Sequence, residues 1–152
     1  MEEIKFRGKN ETGWHYGLLT FMFRSYAISH VENENVVDLV DRETVSQYTG
    51  IKGINDVEIY GNDITKLVLP DGEVRYFVVK SGAIERWVHL QEGFRSGFYR
   101  IHTIGIYFEW IDSEGEIHKL LACVDENGVS DASKMEVVGN IHDNPELLEV
   151  NK

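Results

Sequence analysis

The stretch LPDGEVRYFVV, residues 69–79, constrains the fold more than any other part of the chain. Pro70 presets φ at the second position of a turn, Asp71-Gly72 supply residues that accept positive φ, and apolar residues alternate on both sides. This predicts a β-hairpin pairing residues 63–69 with 73–79. Short alternating runs between turn residues recur along the chain, and helical periodicity is nearly absent. Residues 4–8 and 14–29 read as one strand and then a longer one, or two, parted by a turn at 10–13. Residues 45–50 and 56–69 read as further strands. After a break at Lys80-Ser81-Gly82 the alternation resumes over residues 83–90, Gly93 and Gly97 bracket a loop, and residues 99–111 and 116–124 form a second hairpin turning at Asp112-Ser113-Glu114-Gly115. Residues 135–141 are the last predicted strand.

Helix is predicted only weakly at 33–43, because the apolar residues there are mostly valine, a poor helix former. The tail is better placed for one: Asp143 or Asn144 can accept the free N–H groups of a first turn, Pro145 loses no bond there, and Glu146 suits the dipole. The expected architecture is therefore all-β, a single domain over 1–152 with a barrel-like or sandwich-like unit, or two small β subdomains meeting near residues 50–62. A short C-terminal helix from Asn144 would close it as a lid through Leu147, Leu148 and Val150.

Charge narrows the function classes. The net charge is −11, and the acidity is concentrated in residues 31–64 and 111–152. Whole-surface binding to nucleic acid, which depends on Lys and Arg releasing counterions, is thereby disfavoured. The lone Cys123 excludes an internal disulfide framework, sits in the apolar run KLLACVD as a buried strand residue would, and suits a reducing compartment. The first residues place acids where a signal peptide needs bases, and no apolar run approaches the roughly 18 residues of a membrane span. A cytoplasmic protein without membrane insertion is the expectation.

Chemistry-bearing motifs are few. The six histidines form no HxH, HExxH or Cys/His pair, so no local metal signature exists, and ligation would require convergence in space. Residues 125–136 resemble a calcium loop at positions 1, 3 and 12, but Val129 and Ser130 stand where a ligand and the turn glycine belong. No GxGxxG, P-loop or GxSxG elbow is present. The expectation is a protein that is not an enzyme, with no catalytic residues, cofactor or metal.

The most distinctive stretch is RWVHLQEGFRSGFYRIH, residues 86–102, where Arg86, Arg95 and Arg100 are interleaved with Trp87, Phe94, Phe98 and Tyr99. Read functionally, Arg86, Trp87, Arg95, Tyr99 and Arg100 form a stacking platform for weak binding of single-stranded nucleic acid. The favoured reading is plainer: two core strands, Trp87 and Tyr99 buried, and the arginines pointing outward on different faces.

Four motifs in order, EIKFRGK (3–9), VSQYTGIK (45–52), EIYGNDI (58–64) and VVGNIHDNPELL (137–148), resemble the YopX protein family of phages and prophages. At Gly61-Asn62 the sequence departs from the family's usual Glu-Gly. The resemblance implies a mainly β fold, a phage-derived gene, life in the bacterial cytoplasm, and no established activity to carry over. The expected function is a non-enzymatic interaction protein whose partner is a host protein or a second copy, since aromatic-rich β edges are pairing surfaces. The alternative is an acidic decoy whose clustered carboxylates imitate DNA and occupy a host DNA-binding protein.

Overall fold

A computed structural model describes residues 3–33, 35–122 and 125–151, and it is mostly antiparallel strand. The first sheet contains β1 (Phe6–Asn10), β2 (Gly13–Met22), β3 (Ser25–Ser29), β4 (Val37–Leu39), β5 (Ser46–Lys52) and β6 (Glu58–Tyr60), in the order β4-β3-β2-β1-β5-β6. The second contains β7 (Asp63–Val68), β8 (Val74–Glu92), β9 (Arg95–Ile111), β10 (Ile117–Leu121) and β11 (Glu136–Asn140), in the order β10-β9-β8-β7-β11. The all-β expectation holds. The run read as one strand over 56–69 is two, and the chain changes sheets between them at Gly61-Asn62.

Both turn-encoded hairpins form where the turn residues place them. Ile64 faces Val78 and Val68 faces Val74, with Gly72 at φ 90°. Ile111 faces Ile117 across the 112–115 turn. Residues 14–29 divide into β2 and β3 at Phe23-Arg24, both at positive φ. The described part of residues 33–43 contains no α-helix: β4 and the start of a 3₁₀ turn at Arg42–Thr44 lie there, as the valines favour.

The core spans both sheets. Ile59 of β6 packs with Phe77 and Val79 of β8, Phe108 of β9, and Ala132 and Met135 of the segment leading into β11. The Ile54 N–H donates to the carbonyl of Met135, which ties the β5–β6 connection to the same layer.

The tail departs from the expected helix. Pro145–Asn151 is 3₁₀, and it packs against β8 with Leu147 and Leu148 half-buried. Asn144 receives the chain differently from a simple cap: its Oδ1 accepts from the Asn140 N–H and lies where a Cβ on Gly139 would stand, 2.3 Å away. Asp143 is drawn off to partners on the first sheet. The side chain of Val150 and all of Cys123 lie outside the described residues. Among the described residues, no helix is long and apolar enough to cross a membrane.

Candidate interaction surface

β8 and β9 pair without a break from Val78 opposite Glu109 to Glu92 opposite Arg95. Gly82 and Gly97, which read as interruptions, both lie within strands, and the turn is confined to Gly93-Phe94. β7 flanks β8 only as far as Val78, and β10 flanks β9 only from Tyr107. Beyond these points the two strands continue as a ribbon, with no third strand on either edge among the described residues. At about 3.3 Å per residue the free part is on the order of 40 Å long.

Directly opposed residues of an antiparallel pair share a face. One face of the ribbon therefore carries Glu85, Trp87, His89, Phe98, Arg100 and His102. It continues the face that buries Val79 against the core, and its His89 and Phe98 rings meet at 5.0 Å. The other face carries Arg86, Val88, Leu90, Arg95, Tyr99 and Ile101. Ile84 is the last buried residue along β8. Past it, Trp87 is 66% exposed, Phe98 74% and Tyr99 47%.

This corrects the reading of residues 86–102 as core strands. Apolar residues on both faces of a strand ordinarily mean burial between two layers. Here, among the described residues, no layer covers either face of the outer ribbon, and rings on both faces stand exposed. The five residues of the supposed platform are divided: Trp87 and Arg100 oppose each other on one face, while Arg86, Arg95 and Tyr99 lie on the other. Arg100 is also engaged by Glu85 at 3.4 Å.

A second constellation, at the junction of the sheets, gathers residues from all four recurring motifs. Arg7 of β1 is buried, with Nη2 2.7 Å from Asp63 Oδ1, and its Nε donates to Ser46 Oγ at 3.0 Å. Its guanidinium lies over the rings of Trp14 and Tyr60. The other Asp63 oxygen accepts the Tyr60 N–H. Burial pushes the Asp63 carboxyl up against the opposing pull of Arg7. Two residues along β1, Lys9 bonds Asp143, whose carboxylate also accepts from Trp14 Nε1 and Asn140 Nδ2. With its charges paired and the guanidinium laid over two rings, this centre fastens the N-terminal strand to the sheet junction and to the tail. Sequence reading missed it because Arg7 and Asp63 look like ordinary alternating surface residues within their own strands.

The family model described as YopX protein matches residues 5–149, nearly the whole chain. No curated protein matches it.

Proposed function

The chain belongs to the YopX protein family, and from that premise we propose that it is a non-enzymatic interaction protein of phage type which self-associates through the β8–β9 ribbon. The observation that carries this reading is the ribbon itself: two strands with exposed aromatic rings whose edges are open among the described residues, extending beyond the last flanking strand described. A two-stranded ribbon alone in water is marginal at best, and its unpaired N–H and C=O groups are a template for another strand.

Charge favours a second copy as the occupant. Residues 83–104 carry three arginines against two glutamates, a net +1 in a chain of −11, which leaves −12 on the remainder. A weakly basic, aromatic ribbon and an acidic body are complementary between copies. The decoy reading gains no comparable support, since Asp63, Asp143 and Glu58 are engaged by Arg7, Lys9 and Lys5.

Light scattering on the intact protein, on Trp87→Glu/Phe98→Glu, and on a chain with residues 83–104 replaced by a two-residue turn tests the proposal. The intact protein is expected to be oligomeric and both variants monomeric. A strict monomer at high concentration would remove self-association, and an oligomer unchanged in both variants would place the contact elsewhere.

A further inference from the structure

Three adjacent strands of the first sheet bring together His15 of β2, His30 just after β3, and Asp38 of β4, residues that are far apart in sequence and carry no local metal motif. We propose that they form a binding site for a divalent transition-metal ion of the zinc type, with His15 Nδ1, His30 Nε2 and the Asp38 carboxylate as ligands.

His15 Nδ1 lies 3.2 Å and His30 Nε2 2.5 Å from the same oxygen, Asp38 Oδ2. The two rings meet edge-on, centroids 5.9 Å apart. Ligand atoms around a tetrahedral zinc stand about 3.3 Å apart, as bond lengths near 2.0 to 2.1 Å require. A small outward turn of the His30 ring therefore opens the cluster to an ion without moving a strand.

The far side of His15 decides which nitrogen is free. Asn10 Oδ1 accepts the Thr12 N–H at 2.9 Å, and since that N–H can only donate, the Asn10 atom facing it is the oxygen. The Asn10 amide nitrogen is accounted for by the Leu39 carbonyl. His15 Nε2 lies 3.0 Å from this same oxygen and 2.8 Å from the Thr12 hydroxyl, which itself donates to Asn10. An unprotonated Nε2 would meet the oxygen lone pair to lone pair, so Nε2 carries the hydrogen. Neutral His15 consequently aims the Nδ1 lone pair at the Asp38 carboxylate, an arrangement that requires a cation between them. The cation is either a proton on the ring or a metal. A ligating histidine whose other nitrogen donates to a fixed oxygen is the usual outer shell of a metal site.

The surroundings suit the larger ion. Gly17 is what lets β2 and β3 approach here, for a Cβ on it would stand 2.1 Å from the Ser29 carbonyl oxygen. His30 also lines a cavity of about 500 Å³ together with Glu3, Tyr16, Glu32 and Asn33, so water reaches the ring at one edge of the cluster. Two imidazoles and one carboxylate, on two neighbouring strands and the residue that follows the strand between them, are a donor set for zinc and its first-row neighbours and not for magnesium or calcium. The other histidine–carboxylate cluster among the described residues is explained without an ion: Asp112 Oδ1 accepts the N–H groups of Glu114 and Glu116, and Oδ2 takes His118.

The test is calorimetric titration of chelator-dialysed full-length protein with Zn²⁺, and with Co²⁺ followed by visible absorption. One equivalent is expected to bind, with the intense ligand-field bands of low-coordinate cobalt and a rise in melting temperature. Asp38→Asn, which keeps the shape of the side chain, and His30→Ala are each expected to weaken binding at least about tenfold, and Asn10→Ala by about 10- to 100-fold through the outer shell. His118→Ala is expected to change nothing. Circular dichroism checks that each variant is folded, and Asp38→Asn carries the test if His30→Ala is not. Absence of saturable binding would overturn the site in favour of a proton-bridged His–Asp–His cluster, as would Asp38→Asn binding as tightly as the parent or loss of binding in His118→Ala.

Discussion

Arg7 Nη2 and Asp63 Oδ1 stand 2.7 Å apart with both side chains almost sealed from water. Removing one member of such a pair leaves an uncompensated buried charge, which costs about 3 to 5 kcal/mol. Arg7→Met and Asp63→Leu are each expected to lose about that much in urea denaturation, while the double substitution loses less than the sum of the two. Strictly additive losses would show that the two groups do not act as a pair. The exposed pair of Arg75 with Glu73 is the contrast, and Glu73→Gln is expected to move stability by about 1 kcal/mol or less.

The Lys9–Asp143 contact gives the protein an acid sensitivity whose direction can be worked out. Chiefly the Lys9 ammonium, then the Trp14 indole and the Asn140 amide, hold the Asp143 carboxyl down from its usual 3.8 to about 2. A group depressed in the folded state contributes stability above its unfolded value, and the contribution fades as pH falls through the folded one. Between about pH 4 and pH 2 the parent is expected to lose more stability than Asp143→Asn, whose side chain does not titrate. Parallel stability-versus-pH curves for the two proteins would sink this account.

Tyr60 presents the opposite case. Its ring is packed among Tyr16, Tyr48 and the Arg7 guanidinium, yet its buried hydroxyl has no hydrogen-bond partner among the described residues, and burial pushes the phenol well above its usual range. A buried unsatisfied hydroxyl costs about 1 to 3 kcal/mol, so Tyr60→Phe is expected to raise the unfolding free energy by an amount of that order. A loss of stability in thermal or urea unfolding would mean that the hydroxyl is satisfied.

What could be read from the sequence was whatever is decided locally. Gly72 and Gly115 announced their hairpins because positive φ has few tenants. Phe23-Arg24 occupies the same region of backbone space with residues that carry no turn signal, so the split of residues 14–29 stayed open. Gly82 and Gly97 misled in the other direction, since each reads as a break and each is in fact a ribbon residue paired across the strands. The Arg7 centre and the His15–His30–Asp38 cluster were invisible for one common reason. Their members lie on different elements far apart in sequence, and only strand pairing and the meeting of the two sheets bring them together.

Trp87 and Phe98, exposed on one face of the ribbon, make the last expectation the most discriminating. In the core, either substitution to alanine would cost about 3 to 5 kcal/mol, which is the loss expected for the buried Phe108. Where they stand, Trp87→Ala and Phe98→Ala are expected to leave monomer stability within about 0.5 kcal/mol of the parent, because a side chain already in water loses little by truncation. Their cost should fall on association instead, as a lower oligomer fraction at equal concentration in analytical ultracentrifugation. Titration with a short single-stranded oligonucleotide separates the remaining possibility. Binding that fell steeply with salt and was lost in Trp87→Ala would assign the ribbon to nucleic acid, with stacking on one face and only Arg100 beside it. Absence of such binding together with weakened association is the result that the divided placement of Arg86, Arg95 and Arg100 leads us to expect.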